Sequence, residues 1–510
     1  MRVSELNAEP LQPIKEECVK LEQLFEGIPA VKKYHWNPAR SFGKITSDSR
    51  AVEKGDIFVA CHGSRMDGHD FLTQAIYAHA SVLVFEKEPA FALPPAVCGI
   101  LVPNSQACLS ELLNRFYGDP DQDVKLIGVT GTNGKTTISY LLHQLIERSQ
   151  KSAYVGTLGY EMDGKKLPAV NTTPGSEVLV PLLAEMRDAA VRYCAMEVSS
   201  HALDQRRIHG LQFDLALFTQ LTQDHLDYHK TLENYFLAKR QLFAGSPPPR
   251  QSLINKDCPY GRRLLEEFKS AKSYSLEGHA DYEARNVEIS FQGTRFTLAY
   301  RGRELDFQMR LPMKHNVSNI LCVLGGLDLM GFNLEDFREA LPDIQGIPGR
   351  LERVGQPGEI DVFVDYAHTP DAFERVLSES RRLASRKIIT VFGCGGDRDR
   401  AKRPLMTRAA VSYSDIVILT SDNPRSEDPA LILKDMKEGI EAGETCQILE
   451  ELQRESAIQR AVELAEPGDI VMILGKGHED YQILGDRKIP FDDRVIAREA
   501  LKGKNRVFFS

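Results

Sequence analysis

The stretch VKLIGVTGTNGKTTISYLLHQLIERS, residues 124–149, constrains the fold more than any other part of this chain. An apolar strand pattern leads into a glycine-rich loop, and apolar residues follow at helical spacing: Ile138, Leu141, Leu142, Leu145 and Ile146. This order predicts a phosphate-binding loop, because backbone amides at a helix N-terminus converge on anionic oxygens. It also predicts an α/β domain, since a strand that feeds a helix in this way belongs to a parallel sheet.

The loop departs from the usual pattern G-x-x-x-x-G-K-[ST], because Val129 stands where the first glycine belongs. We expect Lys135 to reach the β and γ phosphates of a nucleotide and Thr136 to hold a magnesium ion. The residues predicted to hold the phosphates are Gly131, Thr132, Asn133, Gly134, Lys135, Thr136 and Thr137. One alternative is a glycine turn that only caps a helix. Another is a nucleotide switch or motor ATPase that uses hydrolysis for movement.

The length of 510 residues is too great for one hydrophobic core and suggests three domains at about 150 residues each. Alternating strand and helix patterns predict an α/β fold throughout: a small N-terminal domain, a central domain with the phosphate loop, and a Rossmann-like C-terminal domain. The predicted boundaries are an N-terminal extension at 1–20 and domains at 21–110, 111–346 and 347–510.

Composition excludes several classes of protein. A net charge of -9 without a long basic run argues against a nucleic-acid partner. The nine cysteines are scattered without a C-x-x-C pair, which favours free thiols over zinc or a redox couple. No apolar run approaches the length of a membrane span, and the N-terminus lacks a signal core. We therefore expect a cytoplasmic monomer without membrane insertion.

Lys239 interrupts the apolar stripe of the predicted helix LENYFLAKRQLFA. Desolvation would lower the pKa of this lysine and expose a neutral amine that can react with carbon dioxide. The resulting carbamate would be an anionic metal ligand. On physical grounds alone, a lysine whose tip reaches solvent is the favoured alternative.

Two further residues have side chains suited to magnesium: Glu197, which ends an apolar run, and His225 in LTQDHLDYH. His201 and His229 lie nearby in sequence, so a zinc site is the alternative. No H-E-x-x-H motif supports zinc.

Two loops in the third segment, GCGGDRDRAKRPLM and TSDNPRSEDP, each follow a predicted strand and each carry arginines. Arginine binds carboxylates through two parallel hydrogen bonds. A single exposed arginine is more often only solvated. Two such loops at the ends of strands in one parallel sheet favour a substrate that carries a carboxylate.

Taken in order, the motifs of this chain resemble those of the Mur ligase family, and most closely its diaminopimelate-adding members. The resemblance begins near residue 41 and rests on TGTNGKTT, NTTPG, MEVSSHALDQRR, DHLDY, KHNVSN, GRLE, DYAHTPDA, GCGGDRD, DNPR and GKGHEDYQ. Family members also lack the first glycine of the phosphate loop. The N-terminal extension and Lys230, where the family commonly has glycine, depart from the pattern.

The resemblance implies a role for each matching position. The N-terminal domain would bind the uridine nucleotide, and the UDP-muramoyl dipeptide would contact Ser47, Ser49, Ser64, Arg65, Met66, Asn171, Thr172, Thr173, Ser199, Gln205 and Arg207. The adenosine part of ATP would meet Asn316, Arg350 and Asp365. The incoming meso-diaminopimelate would be held by Arg398, Asp422, Asn423, Pro424, Arg425, Gly475 and Glu479. Lys239 matches the carbamylated lysine of the family. The resemblance therefore favours a carbamate over a lysine whose tip reaches solvent.

The implied activity is ATP-dependent amide formation in peptidoglycan precursor synthesis. ATP would phosphorylate the D-glutamate γ-carboxylate of UDP-N-acetylmuramoyl-L-alanyl-D-glutamate, and the amine of diaminopimelate would displace the phosphate. Lys135 and two magnesium ions would neutralise charge, one ion on Thr136 and Glu197, the other on Glu197, His225 and carbamylated Lys239. A lysine-adding relative and folylpolyglutamate synthase are the nearest rivals within the ligases.

Overall fold

The structure is a computed structural model that describes residues 20–63, 66–344, 346–355 and 360–508. The chain divides into two compact units, one of residues 1–283 with 319–334 and one of residues 284–318 with 335–510. The predicted extension and the predicted Ser64 and Arg65 contacts lie outside the described residues, apart from Lys20. The domain boundaries at 110/111 and 346/347 stay predictions.

The N-terminal part of the first unit is a five-stranded sheet in the order β1-β5-β4-β3-β2. Its central strands are fully buried and alternate with short helices, which is the pattern of a small α/β layer. The elements are α1 (Leu21–Leu24), β1 (Lys32–Tyr34), β2 (Ile45–Thr46), β3 (Ile57–Val59), α2 (Leu72–Tyr77), β4 (Val82–Phe85), β5 (Cys98–Leu101) and α3 (Ser105–Phe116).

The rest of the first unit is built on a mainly parallel sheet in the order β9-β8-β7-β10-β6-β11-β12-β13, and the first residues of β14 pair beyond β13. The predicted strand before the phosphate loop is its central strand, and the predicted helix follows it. The elements are β6 (Lys125–Thr130), α4 (Lys135–Glu147), β7 (Ser152–Gly156), β8 (Gly159–Met162), β9 (Lys165–Leu167), α5 (Ser176–Asp188), β10 (Tyr193–Glu197), α6 (Ser200–Asp204), β11 (Phe213–Phe218), α7 (Leu226–His229), α8 (Leu232–Ala244), β12 (Gln251–Asn255), α9 (Pro259–Glu267), β13 (Lys272–Ser275) and β14 (Tyr282–Ser290).

The second unit contains an antiparallel hairpin of β15 (Gly293–Tyr300) and β16 (Arg303–Met309). Helix α10 (Lys314–Leu329) contributes residues to both units.

A six-stranded sheet in the order β17-β18-β22-β19-β20-β21 forms most of the rest of the second unit. Among its described strand pairs, β17 with β18 is antiparallel and the others are parallel. Strands β23 and β24 form a separate antiparallel hairpin. Apolar side chains from both faces of this sheet pack against helices, as a doubly wound fold requires. The elements are β17 (Glu352–Val354), β18 (Asp361–Asp365), α11 (Pro370–Leu383), β19 (Ile388–Cys394), α12 (Lys402–Tyr413), β20 (Ile416–Ser421), α13 (Pro429–Lys437), β21 (Gln447–Glu450), α14 (Arg454–Leu464), β22 (Ile470–Leu474), β23 (Tyr481–Leu484), β24 (Arg487–Pro490) and α15 (Asp493–Phe508).

The predicted α/β fold class is confirmed, with parallel strands that alternate with helices in each of these sheets. Within the described residues, none of the helices has the length and apolar character that a bilayer crossing demands. The carboxyl ends of β6, β10 and β11 meet at one edge of the first unit's sheet, and those of β19, β20 and β22 meet at one edge of the second unit's sheet. Ligands of parallel sheets bind at such edges.

Candidate nucleotide and substrate sites

The phosphate loop adopts a conformation that depends on its two glycines. Gly131 has a φ of 148° and Gly134 a φ of 87°, and a Cβ at Gly131 would lie 1.8 Å from Oγ1 of Thr219. Thr219 Oγ1 donates to the carbonyl of Asn133 at 2.6 Å. Lys135 begins the helix, and its Nζ donates to the carbonyls of Gly131 and Thr132 at 3.0 and 2.8 Å. The ammonium therefore lies over the loop, where a β or γ phosphate would meet it.

Glu197 is the most connected carboxylate of this edge. It ends β10 with only 1% of its surface exposed. Its Oε1 accepts hydrogen bonds from the Tyr154 hydroxyl at 2.7 Å and the Thr157 amide at 2.8 Å. Its Oε2 accepts from the hydroxyls of Thr136 at 2.9 Å and Thr157 at 3.3 Å. The predicted Thr136 and Glu197 pair is therefore brought together by the fold.

Lys239 is buried to 1% exposure in α8, so the alternative of a tip that reaches solvent is wrong. Its Nζ donates to the Gly131 carbonyl at 2.7 Å and lies 4.5 Å from the ring centre of Tyr235. Burial, and then the cation of Lys135, lower the pKa of Lys239 well below its ordinary value. In the described part of the chain no carboxylate forms an ion pair with this amine. Lys239 is therefore a buried amine beside the phosphate loop, and burial disfavours its charged form.

Partial desolvation is the largest cause that lowers the pKa of His225. The nearby charges of Lys135 and Lys239 lower it further. Its ring centre is 5.0 Å from that of His201, which in turn is 5.5 Å from that of His229. Despite this proximity, the described residues contain no group of three His, Cys, Asp or Glu side chains arranged to hold a metal ion. The zinc alternative thus gains no support. The oxygen pair of Thr136 and Glu197 matches the ligand preference of magnesium.

A second group of predicted residues surrounds the strand end of β10. Thr173 Oγ1 donates to the Glu197 carbonyl at 2.8 Å and accepts from the Ser199 amide at 2.9 Å. Arg207 donates to the Thr173 carbonyl at 2.9 Å and, with Nε and NH2, to Oε1 of Gln205 at 3.1 and 2.7 Å. The fold therefore places these four residues in one network that borders Glu197.

Asn171 and Thr172 lie in the loop before this network. The Thr172 and Thr157 hydroxyls are 3.1 Å apart, so Thr157 contacts both Thr172 and the Glu197 carboxylate. The Asn171 carbonyl accepts from the Tyr160 hydroxyl at 3.0 Å. The two predicted residues thus adjoin the same strand end.

Of the predicted uridine contacts, Ser47 has the most definite partner. Its amide and hydroxyl donate to the carboxylate of Glu177 at 2.8 and 2.6 Å. Ser49 donates to Gln74 at 3.2 Å, and the side chain of Met66 is 66% exposed. The uridine assignment of these residues stays a prediction.

The three predicted adenosine contacts belong to the second unit. Asp365 ends β18 and accepts from the amides of Leu351 and Ala367, each at 2.7 Å. The Arg350 guanidinium lies 4.6 Å from the ring centre of Tyr366. Asn316 is buried and donates to the Pro312 carbonyl at 2.8 Å. Arg350 and Asp365 therefore adjoin the same segment, and Asn316 lies in α10.

The ends of β20 and β22 bring the predicted amino-acid contacts together. Asn423 Nδ2 donates to Oε2 of Glu479 at 2.9 Å, and a Cβ on Gly475 would lie 3.0 Å from Oδ2 of Asp422. Lys476, which is fully buried, donates to the same oxygen of Glu479 at 2.9 Å and to Oδ1 of Asn423 at 3.3 Å. These groups form one polar cluster at the carboxyl edge of the sheet.

Arg425 lies beside this polar cluster, and only the NH1 group of its guanidinium donates hydrogen bonds within the described residues. Its NH1 donates to the carbonyls of Gly396 at 2.7 Å and Asn423 at 3.4 Å. Its Nε and NH2 donate no hydrogen bond within the described part of the chain, and no carboxylate there pairs with it. A Cβ on Gly395 would lie 3.0 Å from Arg425 NH1 and 3.7 Å from Cγ of Arg398, so both predicted arginines flank this glycine. A half-buried guanidinium whose Nε and NH2 donate no hydrogen bond within the described residues is suited to a carboxylate.

Three residues of these sites escaped prediction from sequence. Tyr154 and Thr157 come from β7 and the turn after it, and nothing in their local sequence marks them as partners of a carboxylate 40 residues or more away. Lys476 lies inside the quoted motif GKGHEDYQ, and a lysine between two glycines at a strand end could have been singled out.

Comparison with known proteins was made on the whole chain. Three family models match: "Mur ligase family, catalytic domain" over residues 42–117, "Mur ligase middle domain" over 129–326, and "Mur ligase, glutamate ligase domain" over 349–477. Two curated relatives carry the name UDP-N-acetylmuramoyl-L-alanyl-D-glutamate--2,6-diaminopimelate ligase. The protein from Clostridium botulinum is 42% identical, covering 90% of this chain and 95% of its own. That from Geobacillus thermodenitrificans is 42% identical, covering 95% and 99%.

A solved structure with the same name in its title aligns with a TM-score of 0.72 at 34% identity, covering 96% of this chain and 99% of that one. A folylpolyglutamate synthase from Mycobacterium tuberculosis aligns with a TM-score of 0.57 at 18% identity, covering 71% and 91%, which is a likeness of fold alone. Three matching domain models and full-length relatives above 40% identity leave one conclusion: the chain belongs to the Mur ligase family.

Proposed function

We propose that this protein is an ATP-dependent ligase that joins meso-2,6-diaminopimelate to the D-glutamate γ-carboxyl of UDP-N-acetylmuramoyl-L-alanyl-D-glutamate, a step in peptidoglycan precursor synthesis. The names of its full-length relatives support the reaction. The observation that carries the choice of amino acid is Arg425, whose Nε and NH2 have no partner among the described residues beside the Asn423 and Glu479 pair. The cytoplasmic location, the monomeric state and the three-domain boundaries are part of the same proposal.

The reaction proceeds in two steps. The γ-carboxylate of the dipeptide attacks the γ-phosphorus of ATP, which releases ADP and leaves an acyl phosphate. The amine of the amino acid then attacks the acyl carbon, loses a proton and displaces inorganic phosphate. Positioning and charge neutralisation carry phosphoryl transfer, so Lys135 and the loop amides act by holding the phosphates in line.

Magnesium would supply further neutralisation of the phosphate charge. Thr136 and Glu197 would hold one ion, since their oxygens are 2.9 Å apart and buried. His225, Glu197 and the carbamate of Lys239 would hold a second. The amine of Lys239 suits carbamylation because burial disfavours its charged form, and a carbamate would add negative charge to the site that a cation would occupy.

The amino-acid site has chemistry for both ends of diaminopimelate. Glu479 and Asp422 offer carboxylates to an ammonium group. Arg425, with Arg398 nearby, offers guanidinium donors to the carboxylate at the end farthest from the attacking amine. L-Lysine lacks that carboxylate, so a site built around Arg425 would favour diaminopimelate.

We expect the wild type to prefer meso-diaminopimelate to L-lysine strongly and Arg425→Ala to lose most of this preference. Losing a charge-assisted, partly buried pair costs about 2 to 5 kcal/mol, which is well over tenfold in selectivity. The measurement is kcat/KM for both amino acids in both proteins, with amide product quantified and the KM for ATP as a reference. Arg382→Ala, which removes an exposed arginine of α11, is the matched control. Equal use of lysine and diaminopimelate by the wild type would refute this role of Arg425.

Rapid phosphate release should require the amino acid as well as the UDP-muramoyl dipeptide. The acyl phosphate turns over only when an amine displaces the phosphate, provided that water is kept from it. The test compares steady-state phosphate release from ATP alone, with the dipeptide, and with dipeptide plus diaminopimelate. A rate with ATP alone that matches the complete mixture would favour the motor or switch alternative instead.

A further inference from the structure

Arg403 is a highly connected side chain of the second unit to which the proposed reaction gives no role. It lies in α12 with no exposed surface. Its NH1 and NH2 donate to the two carboxylate oxygens of Glu427 at 3.0 and 2.8 Å. NH1 also donates to Asp435 at 2.8 Å, and NH2 to the Gly395 carbonyl at 3.2 Å. Such a bidentate, fully buried guanidinium fixes the geometry of what it touches.

Glu427 extends this network to the loop that follows β19. Its Oε1 accepts from the Asp397 amide at 2.6 Å. The Asp397 carboxylate in turn accepts from the hydroxyl and amide of Ser426 at 2.7 and 3.2 Å. Arg403 therefore holds the loop after β19 directly through Gly395, and also through Glu427 and Asp397.

The same loop sets the position of Arg425. Arg425 NH1 donates to the Gly396 carbonyl at 2.7 Å, and the Gly396 amide donates to the Asn423 carbonyl at 2.9 Å. The two loops lie so close that a Cβ on Gly396 would be 1.9 Å from the Pro424 carbonyl oxygen. Arg425 itself has a φ of 53°, a strained value for a residue with a side chain, which persists only where the surroundings enforce it.

We propose that Arg403, acting through Glu427 and the loop of Gly395 to Asp397, is the positioning residue that aims the Arg425 fork at the distal carboxylate of the amino acid. The inference rests on the proposed function, since it concerns the same amino-acid site. Binding geometry of this kind must hold within about 0.5 Å. Without Arg403, we expect the loop of Gly395 to Asp397 to relax, so that the Gly396 carbonyl no longer holds Arg425 NH1.

The test compares Arg403→Met, Arg425→Ala and the double variant in the amide-forming assay with meso-diaminopimelate and with L-lysine. We expect Arg403→Met to lower kcat/KM for diaminopimelate by about tenfold or more, the loss typical when a residue that orients a binding group is removed. The effect should appear in the KM for diaminopimelate, with lysine use and the KM for ATP unchanged. The double variant should be no less selective than Arg425→Ala alone, because Arg403 would then have no guanidinium to aim.

Arg400→Met is the matched control. Arg400 also pairs with Asp435, at 2.9 and 3.0 Å, but its side chain is 64% exposed and it makes no side-chain contact with the Gly395 to Asp397 loop among the described residues. Its loss should leave the ratio of the two amino acids unchanged. If Arg403→Met does not fold, Ser426→Ala decides the matter, since it removes an exposed link of the same network and should raise the KM for diaminopimelate alone.

Several outcomes overturn the inference. An Arg403→Met enzyme with unchanged selectivity would do so. Equal losses of kcat/KM for diaminopimelate and for lysine would also do so. So would a double variant whose loss of selectivity is the product of the losses in the two single variants. If Arg403→Met does not fold, a Ser426→Ala enzyme with wild-type KM for diaminopimelate would overturn it. A wild type that forms amides without preferring diaminopimelate refutes the proposed function, and the inference with it. Failure of the inference alone would leave the preference of the wild type intact.

Discussion

Lys135→Ala should reduce amide formation by at least about 10²-fold while the protein stays folded. The Lys135 ammonium lies over the loop carbonyls at 2.8 and 3.0 Å, at the N-terminus of α4, where phosphate charge would accumulate. Removing one such electrostatic contact from a preorganised site typically costs 10² to 10³ in kcat. The helix should survive, because alanine has the highest intrinsic helix propensity.

The measurement is kcat for amide formation under saturating substrates, paired with thermal unfolding to follow the fold. Lys502→Ala, which removes an exposed lysine of α15, should behave as the wild type in both assays. A folded Lys135→Ala enzyme with near-normal turnover would refute the assignment of the phosphate loop.

The second large effect concerns Lys239, the fully buried lysine of α8. Lys239→Ala should lose about 100-fold or more of its activity, as expected when a metal ligand or its support is removed. Short-chain carboxylates such as acetate should partly restore the activity, because the cavity left by the side chain admits an anion where the carbamate would stand. Burial lowers the pKa of Lys239 well below its ordinary value, which favours formation of the carbamate that acetate would replace.

Rescue is measured as kcat against carboxylate concentration, with chloride at equal ionic strength as the reference. Lys135→Ala is the matched control, since it removes a cation of the same pocket and acetate should not restore it. Intact-mass or crystallographic data that show only unmodified Lys239 in fully active enzyme would contradict the carbamate.

Sequence alone predicted the local parts of this protein well. The strand, loop and helix at 124–149 were predictable because glycine placement and apolar spacing act over a few residues. The carboxyl-edge loops of the C-terminal sheet were also predictable, since strands of a parallel sheet end on one side. The resemblance to the family supplied the individual site residues.

What sequence could not predict depends on contacts between distant segments. From sequence, the side chain of Lys239 could be either buried or solvent-exposed at its tip. The packing around α8 shows that it is buried. The partners of Glu197 come from β7, the turn after it and α4. The strand order places β10 between β7 and β6, and β6 leads into α4. Arg403 is similar, because an arginine in a helical stretch gives no sign that two carboxylates from later segments will enclose it.

The hydrogen bonds around Glu197 also determine how that position can change. Its Oε1 faces an obligatory donor, the Thr157 amide, whereas Oε2 faces only hydroxyls, which can turn from donating to accepting. A glutamine there can keep its oxygen toward the amide and direct its nitrogen toward the hydroxyls of Thr136 and Thr157. Charge and hydrogen bonding are thus separable at Oε2: a glutamine at position 197 would remove the negative charge of this side chain and keep the hydrogen bond from the Thr157 amide.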